Sequence, residues 1–406
     1  MDAKKLPARP SLEQYRKQAK ELLKACKAGD SDAIERIKRY HHHTSKLNDL
    51  GILSREFALA DAQLVIAREH AFESWPKFVK HIEALTQKNS SISRFELAAD
   101  AIVAGDALTL KRLLRENPEL FRQRSTRMHR ATLLHYVGAN GFEDYRQKSP
   151  KNVVEIATIL LGAGAEVDAV ADMYGKGTTL SLAASSIHPK WAGVQIALLE
   201  TLLDAGAAVD GIPGGSSPVI SALHNGRGEA AEFLAHRGAL LDLEGAAGVG
   251  RLDLVKSFFD EDGSLKANAT KVQMESGFLW ACEYGRNDVV DFLLQRGTDV
   301  RAQSNTGLTG LHWAVVGGKL ATIKLLLERG APLDAKNVYG ATAFGQALWS
   351  ACNGDSGIDY VSVVEMLIDD GAKVEPGSLA WLAKQTGSAS TKVHLEALLR
   401  LHGATS

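Results

Sequence analysis

The chain has 406 residues, 47 Lys+Arg against 48 Asp+Glu for a formal net charge of −1, and 45 % hydrophobic residues. This composition argues against disorder and against general affinity for nucleic acid, and no stretch approaches the roughly 18 apolar residues of a membrane span. Cys26, Cys282 and Cys352 stand far apart and fit no CxxC or zinc spacing, which predicts reduced thiols in a cytoplasmic protein without a disulfide framework or structural metal; with no phosphate-loop or nucleophile-elbow spacing, no cofactor is expected.

Residues 1–90 read as a helical segment of their own. Apolar periodicity predicts helices near 11–28, 31–40, 57–70 and 75–85, with Ser11 and Ser31 as N-caps. The segment is mildly basic, with 17 Lys+Arg against 12 Asp+Glu, as a solvated surface can be. The run His41-His42-His43 offers imidazoles, but consecutive residues at a helix end point in different directions, so a solvated junction is expected rather than a metal site. Residues 95–121, with Ala98-Ala99, Gly105-Asp106 and Leu110-Lys111-Arg112-Leu113-Leu114, predict a further helix pair.

From there on a single ending recurs, an apolar helix closed by Gly and a small residue. It stands at Leu160-Leu161-Gly162-Ala163-Gly164-Ala165, Leu202-Leu203-Asp204-Ala205-Gly206-Ala207, Phe233-Leu234-Ala235-His236-Arg237-Gly238-Ala239, Leu293-Leu294-Gln295-Arg296-Gly297-Thr298 and Leu326-Leu327-Glu328-Arg329-Gly330-Ala331. Gly297 and Gly330 are 33 residues apart, and Gly206 and Gly238 are 32 apart. The glycine fits the left-handed residue that ends a helix over a tight turn. The leucines before it form a stripe that only a stacked neighbour can bury.

The stretch Asn305-Thr306-Gly307-Leu308-Thr309-Gly310-Leu311-His312-Trp313-Ala314, followed by Ile323-Lys324-Leu325-Leu326-Leu327-Glu328-Arg329-Gly330-Ala331, closely resembles the ankyrin-repeat consensus. The resemblance implies an all-α solenoid of helix-turn-helix repeats with short β-hairpin fingers over 91–406. Within it fall a cap repeat at 95–121, degenerate and inserted repeats at 125–240, a short repeat at 241–263, regular repeats at 272–375 and a C-terminal cap at 376–406. The segment Leu59–His70 with Phe72-Glu73-Ser74-Trp75-Pro76 resembles one fused ahead of bacterial ankyrin arrays. Register sets the helix-opening Thr or Ser at Thr132, Thr178, Ser217, Ser276, Thr309 and Thr342. Stretched intervals set extra loops at 141–151, 186–194 and 352–359, while the interval of 25 from Gly238 to Gly263 predicts a lost finger.

His135 and His312 fall in the slot where the family ties finger backbone, so they are expected to be structural, and Trp280 and Trp313 are expected to pack between helices. The contact face, mapped by position, takes His224, Asn225, Glu283, Tyr284, Tyr339 and Trp349 as partner-binding candidates, residue types that anchor interfaces. Segment 125–195 is dense in polar residues that the consensus does not require: His129, Arg130, Asn140, Tyr145, Arg146, Asp172, Tyr174, Ser185, His188 and Gln195. These are candidate ligand contacts. The two arginines suit a carboxylate or phosphate, and His129 or His188 near Asp172 would suit a base and its orienter.

The leading functional expectation is a non-enzymatic scaffold that binds a protein or peptide along the concave face, with no nucleic acid and no membrane involved. An alternative is an enzyme or sensor for a small anionic ligand with a polar pocket in 125–195. In a third reading the 10–86 helices dock in the groove and regulate access.

Overall fold

The computed structural model describes residues 3–41, 57–87, 89–141, 143–355, 357–386 and 388–404. The chain forms two compact units, residues 1–237 and 238–406.

In the first unit the N-terminal helices are α1 Leu12–Lys27, α2 Ser31–Tyr40, α3 Leu59–Glu69 and α4 Trp75–Thr86. They enclose a core of their own that includes Tyr15, Leu22, Ile37, Val65, Ile66, Phe72, Phe78 and Ile82. Ser11 caps α1 as expected, but α2 is capped by Asp30 rather than Ser31, since the Asp30 carboxylate reaches the Ala33 N–H at 2.8 Å. His41 is buried rather than solvated, with Nε2 3.1 Å from Asp61 Oδ1. His42 and His43 lie outside the described residues.

Within the first unit the segment extends the helical stack. Its α4 packs on α5 Ser91–Ala104, and the Met128 N–H of the first finger donates to Ala71 O at 2.7 Å. Asp172 N–H repeats that bond to His129 O at 2.8 Å one finger later. The Ala71 corner, at φ 62°, therefore serves as the finger that precedes the array.

After α6 Ala107–Glu116 the unit continues through a 3₁₀ helix at Leu133–Gly138, α7 Val153–Gly162, α8 Thr179–Ser185, α9 Ile187–Trp191, α10 Gln195–Asp204, α11 Pro218–His224 and α12 Gly228–His236. The 186–194 insertion thus forms the short helix α9 instead of an open loop. In the second unit lie α13 Leu243–Gly248, α14 Leu252–Ser257, α15 Lys271–Tyr284, α16 Asn287–Gln295, α17 Gly310–Val316, α18 Leu320–Glu328, α19 Ala343–Asn353, α20 Tyr360–Asp369, α21 Ser378–Ala383 and α22 Ala389–Leu401. Their leucine stripes merge in a continuous core from Leu243 to Leu399 that includes Leu293 and Leu326.

Thr178, Ser217, Thr309 and Thr342 cap their helices through the hydroxyl. Ser276 does not. Helix α15 starts earlier because Thr270 and Gln273 form a reciprocal capping box, which leaves Ser276 inside the helix. Among the described residues the fingers reduce to isolated antiparallel bridges, such as Arg124 with Thr132 and Gln303 with Thr309.

Candidate functional site

Some of the polar residues of 125–195 form one buried network, and the rest lie outside it. At the centre of the network is Glu143, in the 141–151 loop, 4 % exposed. Its Oε1 receives Arg146 Nη1 at 2.9 Å, Tyr145 OH at 2.6 Å and, more loosely, Arg127 Nε at 3.3 Å. Its Oε2 receives Tyr136 OH at 2.6 Å and His129 Nε2 at 3.0 Å. The Ala131 N–H donates to His129 Nδ1 at 3.1 Å, so the imidazole proton lies on Nε2, facing Glu143.

Glu96 on α5 completes the charge balance, taking Arg127 Nη1 at 2.5 Å and Arg146 Nη1 at 2.9 Å. Arg146 also donates through Nε to Asp100 at 2.9 Å and through Nη2 to Glu96 O at 3.2 Å. Burial opposes ionisation of Glu143, but Arg127, the His129 hydrogen bond and Arg146 outweigh it and hold the carboxyl well below its usual range. Burial acts on Glu96 in the same sense and is likewise outweighed by Arg127 and Arg146. Against burial, Glu96 and Glu143 keep both guanidinium groups charged. Burial pushes the Tyr136 and Tyr145 hydroxyls up, so both remain donors.

Two carboxylates and two guanidinium groups thus neutralise one another with their hydrogen bonds made, which is what burial of charge demands. The cavity beside them, lined by His129, Tyr136, Asn140, Glu143, Arg146 and Met173, has about 20 Å³. That is room for about one water molecule, not for a substrate.

The other candidates lie outside this network. Arg130 and Asp172 form an exposed finger-tip ion pair at 3.8 Å. His188 lies on α9 with its ring edge-on to Trp191 at 5.9 Å, and burial followed by Arg227 lowers its pKa. Arg146 meets neither group, so Arg130, Arg146, Asp172 and His188 do not share one cavity. Asn140 donates to Ser185 Oγ at 3.0 Å, and Tyr174 donates to Gly141 O at 3.3 Å, which braces the loop. Gln195 is buried, and its amide donates to the Ala183, Ala184 and Ser186 carbonyls at 2.9, 3.1 and 3.1 Å. It closes the C-terminal end of α8, where the insertion leaves those carbonyls without helical partners.

The second unit carries an open groove of about 800 Å³ between the finger at 337–341, α19 and the start of α21. Tyr339 and Trp349 on it are 81 % and 50 % exposed, and the half-buried Trp381 and the Gln346 amide lie on the same groove. The carbonyl of Thr306 accepts the Val338 N–H at 3.0 Å, and His312 Nε2 lies 3.2 Å from Ala341 O, so the finger that presents Tyr339 is held by the preceding repeat.

The family model of ankyrin repeats (three copies) matches residues 278–377, the stretch in which finger, Thr-capped helix and Gly-closed helix recur at the expected spacing. Over that stretch the chain carries ankyrin repeats. No curated protein matches it. A solved structure, the human ASB11 ankyrin repeat domain, is 23 % identical over 68 % of this chain and 98 % of its own, with a TM-score of 0.34.

On an ankyrin array the end of each first helix faces the palm, and most of the positions mapped there are accessible. His224 and Asn225 are exposed and Tyr284 is half-buried. Glu283 is the exception. It is 7 % exposed, because Gly317 brings the end of α17 against the Glu283 backbone, so it is a packing residue rather than a presented contact. Sequence reasoning passed over Glu96 and Glu143, which carry no consensus signal. It also placed Trp381 only in the terminal cap, although the reach of an indole beyond a short helix marks it as a candidate groove wall. Among the described residues no helix is long and apolar enough to cross a membrane.

Proposed function

We propose that this ankyrin array is a non-enzymatic scaffold that binds a protein or peptide segment through its concave face, with the second unit's groove as the anchoring site. The observation that carries the reading is the pairing of Tyr339 and Trp349, both exposed, on a groove of about 800 Å³. Two large side chains, each with a polar tip, presented together on a concavity suit hot-spot contacts. Glu375 is the acidic side chain on the same groove, which favours a segment with a basic residue beside its apolar anchors.

The polar segment 125–195 supports this reading over an enzyme. Its most densely hydrogen-bonded carboxylate and both buried arginines are engaged with one another, and the adjoining cavity has the size of a water molecule. Free thiols at Cys26, Cys282 and Cys352 suit a reducing, cytoplasmic setting. Selection of a displayed random-peptide library on the full chain tests the proposal. Enriched sequences are expected to carry aromatic or aliphatic anchors with a basic residue, and to lose affinity for Trp349→Ala. Enriched peptides that bind wild type and Trp349→Ala equally would place recognition elsewhere.

A further inference from the structure

We infer that a second, basic groove, where α4 meets the first finger, binds an acidic peptide segment of a protein partner. It has about 770 Å³ and is distinct from the Trp349 groove. Lys77 and Lys80, one turn apart on α4, form one wall, and Arg124 and Arg130, at the base and tip of the finger, form the other. The opposing carboxylates on the groove are Glu73, which pairs with Lys77, and Asp172, which pairs with Arg130 at 3.8 Å. Lys80 and Arg124 are exposed and have no carboxylate partner among the described residues. The Arg124 guanidinium is nevertheless held in place, since Nη1 donates to the carbonyls of Arg130 at 3.0 Å and Val170 at 2.5 Å. It is an oriented cation without an anion.

Two further features favour an anionic occupant. Ser91 and Ile92, the first residues of the 14-residue helix α5, reach the groove, and the Ser90 side chain caps only the Ser93 N–H. The positive end of that helix therefore faces the same space. His81, wholly buried, also lines it; its Nδ1 meets Thr126 Oγ1 at 2.8 Å while its Nε2 has no hydrogen-bond partner.

The spread of the cations over two walls, rather than around one point, matches several carboxylates on an extended chain better than a single small anion. Half-buried Met128 and Ile92 between the walls add a seat for one apolar side chain. The required occupant is an acidic segment with an apolar residue among its carboxylates.

The test uses the full chain and a fluorescein-labelled decapeptide of Asp and Glu around a single Leu, read by anisotropy at low salt. The acidic peptide is expected to bind and its Asn/Gln counterpart is not. Binding should weaken about tenfold in Lys80→Glu/Arg124→Glu, and about threefold in Lys80→Glu alone, which touches no structural contact and so keeps the test valid if the double variant fails to fold. Trp349→Ala should leave this binding unchanged, which separates it from the anchoring groove. Equal binding by wild type and Lys80→Glu, no binding of the acidic peptide, or its displacement by inorganic phosphate at about millimolar concentration would each overturn the proposal, the last by making a single small anion the occupant.

Discussion

Arg146 Nη1 donates to Glu143 Oε1 at 2.9 Å from only three residues away, within a loop inserted between two helices. The pair turns that loop into a buried bracket, because the same guanidinium also reaches Glu96 and Asp100 on α5. Glu143→Gln keeps the shape of the carboxylate but leaves Arg127 and Arg146 with one buried counter-charge fewer. It is expected to destabilise the protein by about 3–5 kcal/mol, the range for breaking a buried ion pair from one side. Urea unfolding checks this; a midpoint near that of wild type would show that water reaches the network.

Acid should weaken the first unit in two stages. Burial, followed by Arg127 for His81 and Arg124 for His135, depresses both imidazoles to about 4. Unfolded histidines take up protons near pH 6.5, so the unfolded chain binds more protons across this window and stability falls with pH by up to about 1.4 kcal/mol per unit for each. Glu96 and Glu143, with depressed pKa values, contribute above the unfolded carboxylate value and lose that contribution only as pH falls through their lower folded values. The melting temperature is expected to drop between about pH 6.5 and pH 5, before Glu96 and Glu143 lose their contribution. A flat profile there would contradict the burial of the two histidines.

Gln195→Ala removes three hydrogen bonds to carbonyls that the insertion leaves open. A loss of about 1–3 kcal/mol is expected, the cost of stranding buried acceptors. Thermal melts of Gln195→Ala and the exposed control Lys190→Ala compare the two directly, and equal melts would show that water replaces the amide.

Leu326, fully buried in the stripe of α18, should cost about 2–5 kcal/mol when cut to Ala, with broadened unfolding of the second unit. A wild-type midpoint and slope would mean that the stripe is not shared between neighbouring repeats.

The repeat fold was legible because it rests on local chemistry: Thr309 caps α17 and Gly330, at φ 79°, closes α18, and both declare themselves at fixed spacing. Thr270 was missed in favour of Ser276 because a capping box three residues long outweighs a register inferred from 33. The candidate polar residues were visible as types but not as neighbours. His129, Tyr145 and Arg146 meet only because Glu143 stands among them, while Arg130, three residues from Arg127, turns outward at φ 49° and pairs in solvent instead. A one-residue change of backbone hand separates a buried charge from an exposed one, and no spacing rule records it. Glu283 and Tyr284 fell in equivalent palm slots, yet the close approach of Gly317 buries only the first.

The double variant Tyr339→Ala/Trp349→Ala tests the scaffold reading most directly, measured by calorimetric titration of a library-selected peptide alongside a thermal melt. Both side chains are largely exposed, so the melt is expected to stay within about 2 °C of wild type while affinity falls by about a hundredfold, the combined loss of two interface anchors. Retained affinity, or lost affinity that comes with a collapsed melting transition, would contradict the account.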